Sequence, residues 1–256
     1  MPGLPGSTIE NDKKEIKELF ENPDYRPDSL KIYPCLVFKG TELYDLWKQG
    51  KYKELTTEQA VDVIVDSKKY IPKYCRIMRI NRDIPTFMSE AGVRKTNLRQ
   101  YVGEELKKRS VKCNCIRCRE PKLNKISWKD VKLLRQDYEA SKGQEIFLSY
   151  EDVKNDFLLG FIRLRIPYKS FRPEITNKSA GIRELHVYGQ AVKIGEKDNN
   201  VQHKGLGIRL MQEAEKIARQ EHDINKLLVI SGIGVKNYYI NKLGYKKDGI
   251  YVSKLI

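Results

Sequence analysis

Three groups of side chains have the types and spacing for chemistry. Cys113-Asn-Cys115-Ile-Arg-Cys118 packs three thiols into six residues. Thiolates this close can wrap one soft or borderline cation, as a tetrahedral zinc site requires. Lys112, Arg117 and Arg119 beside them favour ionised sulfur. The spacing leaves the fourth ligand open: Cys35, Cys75 or a histidine could supply it. Chance clustering of reduced thiols is the bland alternative, and no C-x-x-C follows a strand in a thioredoxin-like setting. The second group is Gln202-His-Lys-Gly205-Leu-Gly207, which runs straight into Ile208, Leu210, Met211, Ala214, Ile217 and Ala218 at helical spacing. Glycines before a helix leave backbone amides bare, so a pyrophosphate can rest on the helix N-terminus. Lys204 and Arg209 add charge beside it. The third group is basic: Lys73 to Lys112 holds eleven Lys/Arg and four acids, with Arg76, Arg79, Arg82, Arg94, Lys95, Arg99, Lys107 and Lys108 interleaved by Tyr74, Phe87 and Tyr101. Cations that neutralise phosphates release counterions, which makes this a candidate nucleic-acid surface; the alternative is an ordinary solvated face.

Those groups sit in a chain of 256 residues with formal charge +15. That charge and a pI near 9.4 point to a polyanionic partner or anionic cofactor, and a mean hydropathy of −0.60 argues against a membrane span. No apolar run approaches 18 residues, so no membrane span is expected, and Met1-Pro-Gly-Leu-Pro-Gly carries no signal-peptide pattern. Five cysteines, an odd number, argue against a disulfide framework. The expectation is a soluble, cytoplasmic, basic protein.

The elements that must position these groups differ between the two halves. In the first, Ser7-Thr-Ile-Glu10 fits a capping box before Ile16, Leu19 and Phe20, and Thr56-Thr-Glu-Gln59 fits a second before Ala60, Val61, Ile64 and Val65. Leu30 to Phe38, broken by Pro34, and Cys75 to Ile80 read as strands, with a short helix over Thr41 to Gln49. Alternating strands and helices predict parallel α/β architecture, with too few strands for a barrel: the tail end of an α/β domain whose beginning is missing. In the second half, Gln144–Tyr150 and Leu158–Ile166 flank a polar turn as a hairpin. Glu184–Tyr188 and Leu227–Ser231 read as further strands, Val235–Leu243 as a short helix and Tyr245–Ile256 as closing strands. The expected division is 1–110, a cysteine-rich linker 111–125, and 126–256.

The order hairpin, strand, glycine cradle, long helix, strand, then Asn237-Tyr-Tyr-Ile-Asn-Lys-Leu-Gly-Tyr245 resembles the GNAT acetyltransferase fold over about 110 residues. The wording of Arg183-Glu-Leu-His-Val-Tyr-Gly189, Gln202-His-Lys-Gly-Leu-Gly207, Ile230-Ser-Gly-Ile-Gly234 and Asn237-Tyr-Tyr239 resembles the family of Elongator catalytic subunits, which modify tRNA wobble uridine. Met1-Pro-Gly-Leu-Pro-Gly-Ser7, Lys31-Ile-Tyr-Pro34 and Arg79-Ile-Asn-Arg-Asp-Ile-Pro85 resemble the later part of that family's radical S-adenosylmethionine barrel. The fold class implied is α/β (α+β): a GNAT domain preceded by the carboxy-terminal part of that barrel, with the cysteine cluster as an interdomain zinc site. The barrel's early strands and iron–sulfur motif are missing, which implies an amino-terminal truncation. S-adenosylmethionine and [4Fe–4S] belong to the intact family member and are not expected on this chain.

The resemblance implies acetyl-CoA as cofactor, tRNA as partner, and accessory subunits or a homodimer. It assigns pyrophosphate to the amides of Gly205, Leu206, Gly207 and Ile208 with Lys204, and pantetheine to Glu184, Leu185, His186 and Val187, opposite Leu228–Ser231 across a splay. Tyr238 or Tyr239 would donate to the CoA sulfur, Tyr239 also lining the cofactor site. In this family the acetyl methyl carbon is joined to C5 of the uridine and the thioester is hydrolysed. Two rivals stay open: a lysine acetyltransferase with Glu184 as general base, and a zinc-stapled RNA-binding module with an inert GNAT domain.

Overall fold

The computed structural model describes residues 1–189 and 205–256, which divide into two compact units, Met1–Cys118 and Arg119–Ile256. The expected linker falls across that division, with all three clustered cysteines in the first unit.

The first unit begins with helix α1 (Ile9–Glu21), and here the capping expectation is off by one residue. Thr8, not Ser7, is the N-cap and accepts from Asn11 N–H, while Ser7 Oγ instead donates to Asp12 at 2.8 Å. Strand β1 (Ser29–Ile32) stops before Pro34, and the chain resumes as β2 (Leu36–Val37). Helix α2 (Glu42–Lys48) is capped by Thr41. Helix α3 (Thr57–Ser67) starts with both arms of the Thr56–Gln59 capping box formed. Strand β3 (Arg76–Ile80) pairs with β1 in parallel, as alternation of strand and helix requires. Strand β4 (Ala91–Gly92) pairs with β2, and α4 (Leu98–Lys108) closes the unit. Three helices are laced by charge: Lys13 of α1 holds Asp62 and Asp66 of α3 at 2.7 Å each, and Arg109 after α4 holds Asp62 at 2.6 Å.

The second unit is built on one seven-stranded sheet. Strands β5 (Val131–Ala140), β6 (Gly143–Asp152), β7 (Phe157–Ile166) and β8 (Ser179–Val187) run antiparallel in sequence order. Strand β5 was not expected: it alternates charge with half-buried residues, and its turn, Ser141-Lys142, takes φ of 46° and 62° without a glycine. Positive φ at both residues suits the twist of a two-residue hairpin. Helix α5 (Leu206–His222) leads to β9 (Lys226–Val229), which joins β8 in parallel. Helix α6 (Lys236–Leu243) and the hairpin β10 (Lys246–Asp248) and β11 (Tyr251–Leu255) finish the chain, with β11 beside β9. Leu210, Met211, Ala214, Ile217 and Ala218 of α5 pack on Ile146, Leu148, Ile162, Leu164, Ile182, Leu227 and Val229. Cutting a fully buried leucine such as Leu210 to alanine costs about 2–5 kcal/mol. That core fixes where the first turn of α5 sits against the sheet.

Candidate acetyl-CoA fork and three-cysteine centre

The functional geometry of the second unit lies where β8 and β9 part. Their parallel pairing runs from Ser179–Lys226 to Ile182–Val229 and stops. Glu184, Leu185, His186 and Val187, beyond that end, keep their pairing to β7. The β7–β8 register shifts at the same point, where Arg163 pairs with Glu184 but Leu164 pairs with Ile182, leaving Arg183 as an extra residue on β8. The strand expected over Leu227–Ser231 is shorter by two residues: Ile230 and Ser231 lie past the end of β9, and Ile230 is 63% exposed. An apolar run does not distinguish a paired strand from the wall of an opening, so the sequence overestimates its length.

Helix α5 points its N-terminus at this fork. Gly205 holds the N-cap with φ of 70°, a left-handed conformation that glycine adopts without steric cost, and no side chain caps the helix. The amides of Leu206, Gly207 and Ile208 therefore lack the partners that a helix start leaves unmade, in a field that favours anions. Gly207 is the point of close approach: a Cβ there would stand 3.4 Å from Tyr238 Oη, 3.6 Å from Val187 Cγ2 and 4.0 Å from Leu185 Cδ2. Lys204, with Gln202 and His203, lies outside the described residues.

The two adjacent tyrosines part company here. Tyr238 is half-buried with its hydroxyl over Gly207, at the mouth of the fork. Tyr239 is buried in the core and stacks edge-on against Tyr245. Burial pushes both phenols above their ordinary value, and Tyr239 is raised further by Tyr238. Tyr238 thus remains a proton donor throughout the neutral range.

Side chains along this stretch of β8 alternate. Leu185 and Val187 pack toward α5, whereas Glu184 pairs with Arg163 at 2.9 Å and His186 stacks on Phe161 and Tyr188. Arg163 is buried against the stacked rings of Phe147 and Phe161, 5.2 Å from each. Glu184 is thereby committed to a guanidinium, a poor arrangement for the general base that a lysine acetyltransferase would need.

In the first unit the three cysteine sulfurs lie within 4.8 Å of one another. Tetrahedral zinc with bonds of about 2.3 Å needs sulfurs about 3.8 Å apart, so this set fits one ion. Cys113 and Cys115 are buried, and Cys118 is exposed. Hydrogen bonds from Cys113 and Cys118 hold the Cys115 thiol far below its usual value; the contact with Cys115 raises Cys113, and contacts with both neighbours raise Cys118. Neither Cys35 nor Cys75 joins the group, and among the described residues no histidine does. Sequence reasoning missed Lys68, whose ammonium lies 3.3 Å from Cys113 Sγ.

The expected tRNA-contacting side chains divide. Arg94 is turned onto the carbonyls of Ser89 and Glu90, and Arg99 donates to Ile77 O at 3.2 Å. Arg79 pairs with Asp83 at 2.5 Å, Lys108 with Glu105 at 3.6 Å, and Arg82 lies over the Tyr33 ring. Arg76 is half-buried at the start of β3. Lys95 and Lys107 are exposed.

A family described as the Radical_SAM C-terminal domain matches residues 27–108. The tRNA uridine(34) acetyltransferase of Methanocaldococcus jannaschii is 50% identical over 266 residues, covering 100% of this chain and 49% of the relative. Elongator complex protein 3 of Saccharomyces cerevisiae is 46% identical over 264 residues, covering 100% and 47%. The solved structure of archaeal Methanocaldococcus infernus Elp3 with an N-terminus deletion superposes with a TM-score of 0.94 at 50% identity, covering 100% of this chain and 62% of that one. The chain spans about half the length of the curated relatives it matches. With every one of its residues aligned, it belongs to the family of Elongator complex protein 3 and the tRNA uridine(34) acetyltransferases.

Proposed function

We propose that this chain supplies the acetyl-CoA site of tRNA wobble-uridine modification at C5, with tRNA held in part by its basic first unit. The observation that carries the reading is the end of β8–β9 pairing at Ile182 and Val229, directly before an uncapped helix N-terminus. Pyrophosphate would rest on the amides of Leu206, Gly207 and Ile208, and pantetheine would hydrogen-bond along the Glu184–Val187 edge past the end of β8–β9 pairing. The thioester then lies near Tyr238, which donates a proton to the departing sulfur. Tyr239 supports that residue from the core. Lys95 and Lys107 are exposed cations suited to phosphate contact. The three cysteines would hold zinc, a closed-shell ion that staples the loop after α4. S-adenosylmethionine and an iron–sulfur cluster supply radical chemistry in the whole family member; among the described residues the one cysteine group is too tight for a cluster, whose thiolates bind separate irons.

The test is release of CoA thiol from acetyl-CoA by this chain, with and without tRNA. Hydrolysis stimulated by tRNA supports the reading. Transfer to a basic peptide, with no tRNA effect, would replace it by lysine acetylation.

A further inference from the structure

Lys68 ends helix α3 as its C-cap and is 2% exposed, so its ammonium is removed from water. A buried ammonium is stable only opposite an anion, since taking an unpaired charge out of water costs several kcal/mol. Among the described residues no carboxylate pairs with it. Its hydrogen bonds go to sulfur: Cys113 Sγ at 3.3 Å and Cys118 Sγ at 3.9 Å. Neutral thiols are weak acceptors and would leave the ammonium nearly unpaired. The third sulfur has its own donor, the backbone N–H of Ile77 on β3. Arg99 also feels these sulfurs, but its hydrogen bond goes to the Ile77 carbonyl.

Geometry then limits the ligand set. A divalent ion on three thiolates carries one net negative charge, which a single ammonium cancels. Neither Cys35 nor Cys75 approaches the centre to supply a fourth thiolate. Cys113 and Cys118 also line a shallow groove of about 410 Å³ with Lys107, Ser110 and Lys112, open to small ligands from solvent. We infer that the Cys113–Cys115–Cys118 centre is a three-thiolate divalent-metal site whose fourth ligand is neutral and exchangeable, and that Lys68 is its fixed countercharge and hydrogen-bond donor, a positioning residue that slows loss of the ion. This rests on the metal reading above and adds to it the charge, the ligand count and the role of Lys68.

The experiment uses the purified chain loaded with Zn²⁺, and in parallel with Co²⁺, as wild type, Lys68→Arg and Lys68→Met. Co²⁺ absorption is expected to report three thiolates, with a visible band that shifts when imidazole is added. Release of Zn²⁺ to a chelator is expected to be about 10–100-fold faster in Lys68→Met, the usual effect of losing an outer-shell partner, and close to wild type in Lys68→Arg. After chelation, Lys68→Met is expected to melt no lower than wild type, because methionine fills the buried stem without a charge. A lysine with only a packing role would instead lower melting with and without metal and leave the release rate unchanged, overturning the inference. A four-thiolate cobalt spectrum would also overturn it. Failure of the wild type to bind either ion would overturn the metal reading itself, whereas tight binding with equal release from all three proteins would overturn only the role of Lys68.

Discussion

Gly207→Ala separates binding from folding at the mouth of the fork. Gly207 sits in the first turn of α5 with no positive φ, so alanine fits the backbone. Its Cβ would lie 3.4 Å from Tyr238 Oη and 3.6 Å from Val187 Cγ2, ordinary contacts that require little movement. Replacing a helical glycine by alanine adds about 0.5–1 kcal/mol. For a unit of this size that is a rise in Tm of about 1–4 °C. A pyrophosphate oxygen must come within about 2.9 Å of the amides it binds, and the new methyl occupies that approach. Loss of one or two charge-assisted hydrogen bonds, each about 1.5–3 kcal/mol, sums to about 3 kcal/mol. Acetyl-CoA affinity should therefore fall roughly 150-fold while the protein becomes no less stable. Calorimetric titration with acetyl-CoA, beside a melting curve, reads both. Affinity within threefold of wild type at unchanged stability would refute the placement of phosphate on α5.

Three further outcomes follow from the same geometry. Tyr238→Phe should lower CoA release by about 100-fold with little change in acetyl-CoA affinity, whereas Tyr239→Phe should change the rate little; steady-state kinetics of both variants check this. Because burial raises the Tyr238 phenol, it stays protonated, and the wild-type rate should show no loss from this group between about pH 7 and pH 9. Lys95→Glu with Lys107→Glu should weaken tRNA binding and reduce the salt slope of log K by at least about 1.4, measured by filter binding across a salt series. Lys13 and Lys69 hold the Asp66 carboxyl below its usual value, and Lys13 and Arg109 do the same for Asp62. A depressed carboxylate contributes stability above its unfolded value and loses it as pH falls through the folded one. The first unit should thus hold its stability down to about pH 4 and lose it below, by melting against pH.

Much of the second unit was legible because its signals are local. The α5 period, the glycines before it and the β6–β7 hairpin each follow from side-chain spacing. Strand β5 was not, since Ser141-Lys142 makes a hairpin turn without the Asn or Gly that marks one, and its solvent face is charged. The fork itself depends on where pairing stops, a property of two strands that neither sequence carries alone. Nor does composition choose between neighbours. Tyr238 and Tyr239 look alike until helix phase buries one, and Lys68-Lys69 reads as a solvated pair until Lys68 turns inward to sulfur while Lys69 pairs with Asp66 outside. In the basic stretch, the sequence counts cations without showing that Arg94 and Arg99 are spent on backbone carbonyls.

Amide hydrogen exchange with and without acetyl-CoA tests the central claim most directly. Bound cofactor should slow exchange along Glu184–Val187 and in the first turn of α5, at Leu206–Arg209, and leave the central hairpin β6–β7 unchanged. Protection confined to other segments, or absent at saturating acetyl-CoA, would contradict the placement of the cofactor in the β8–β9 fork.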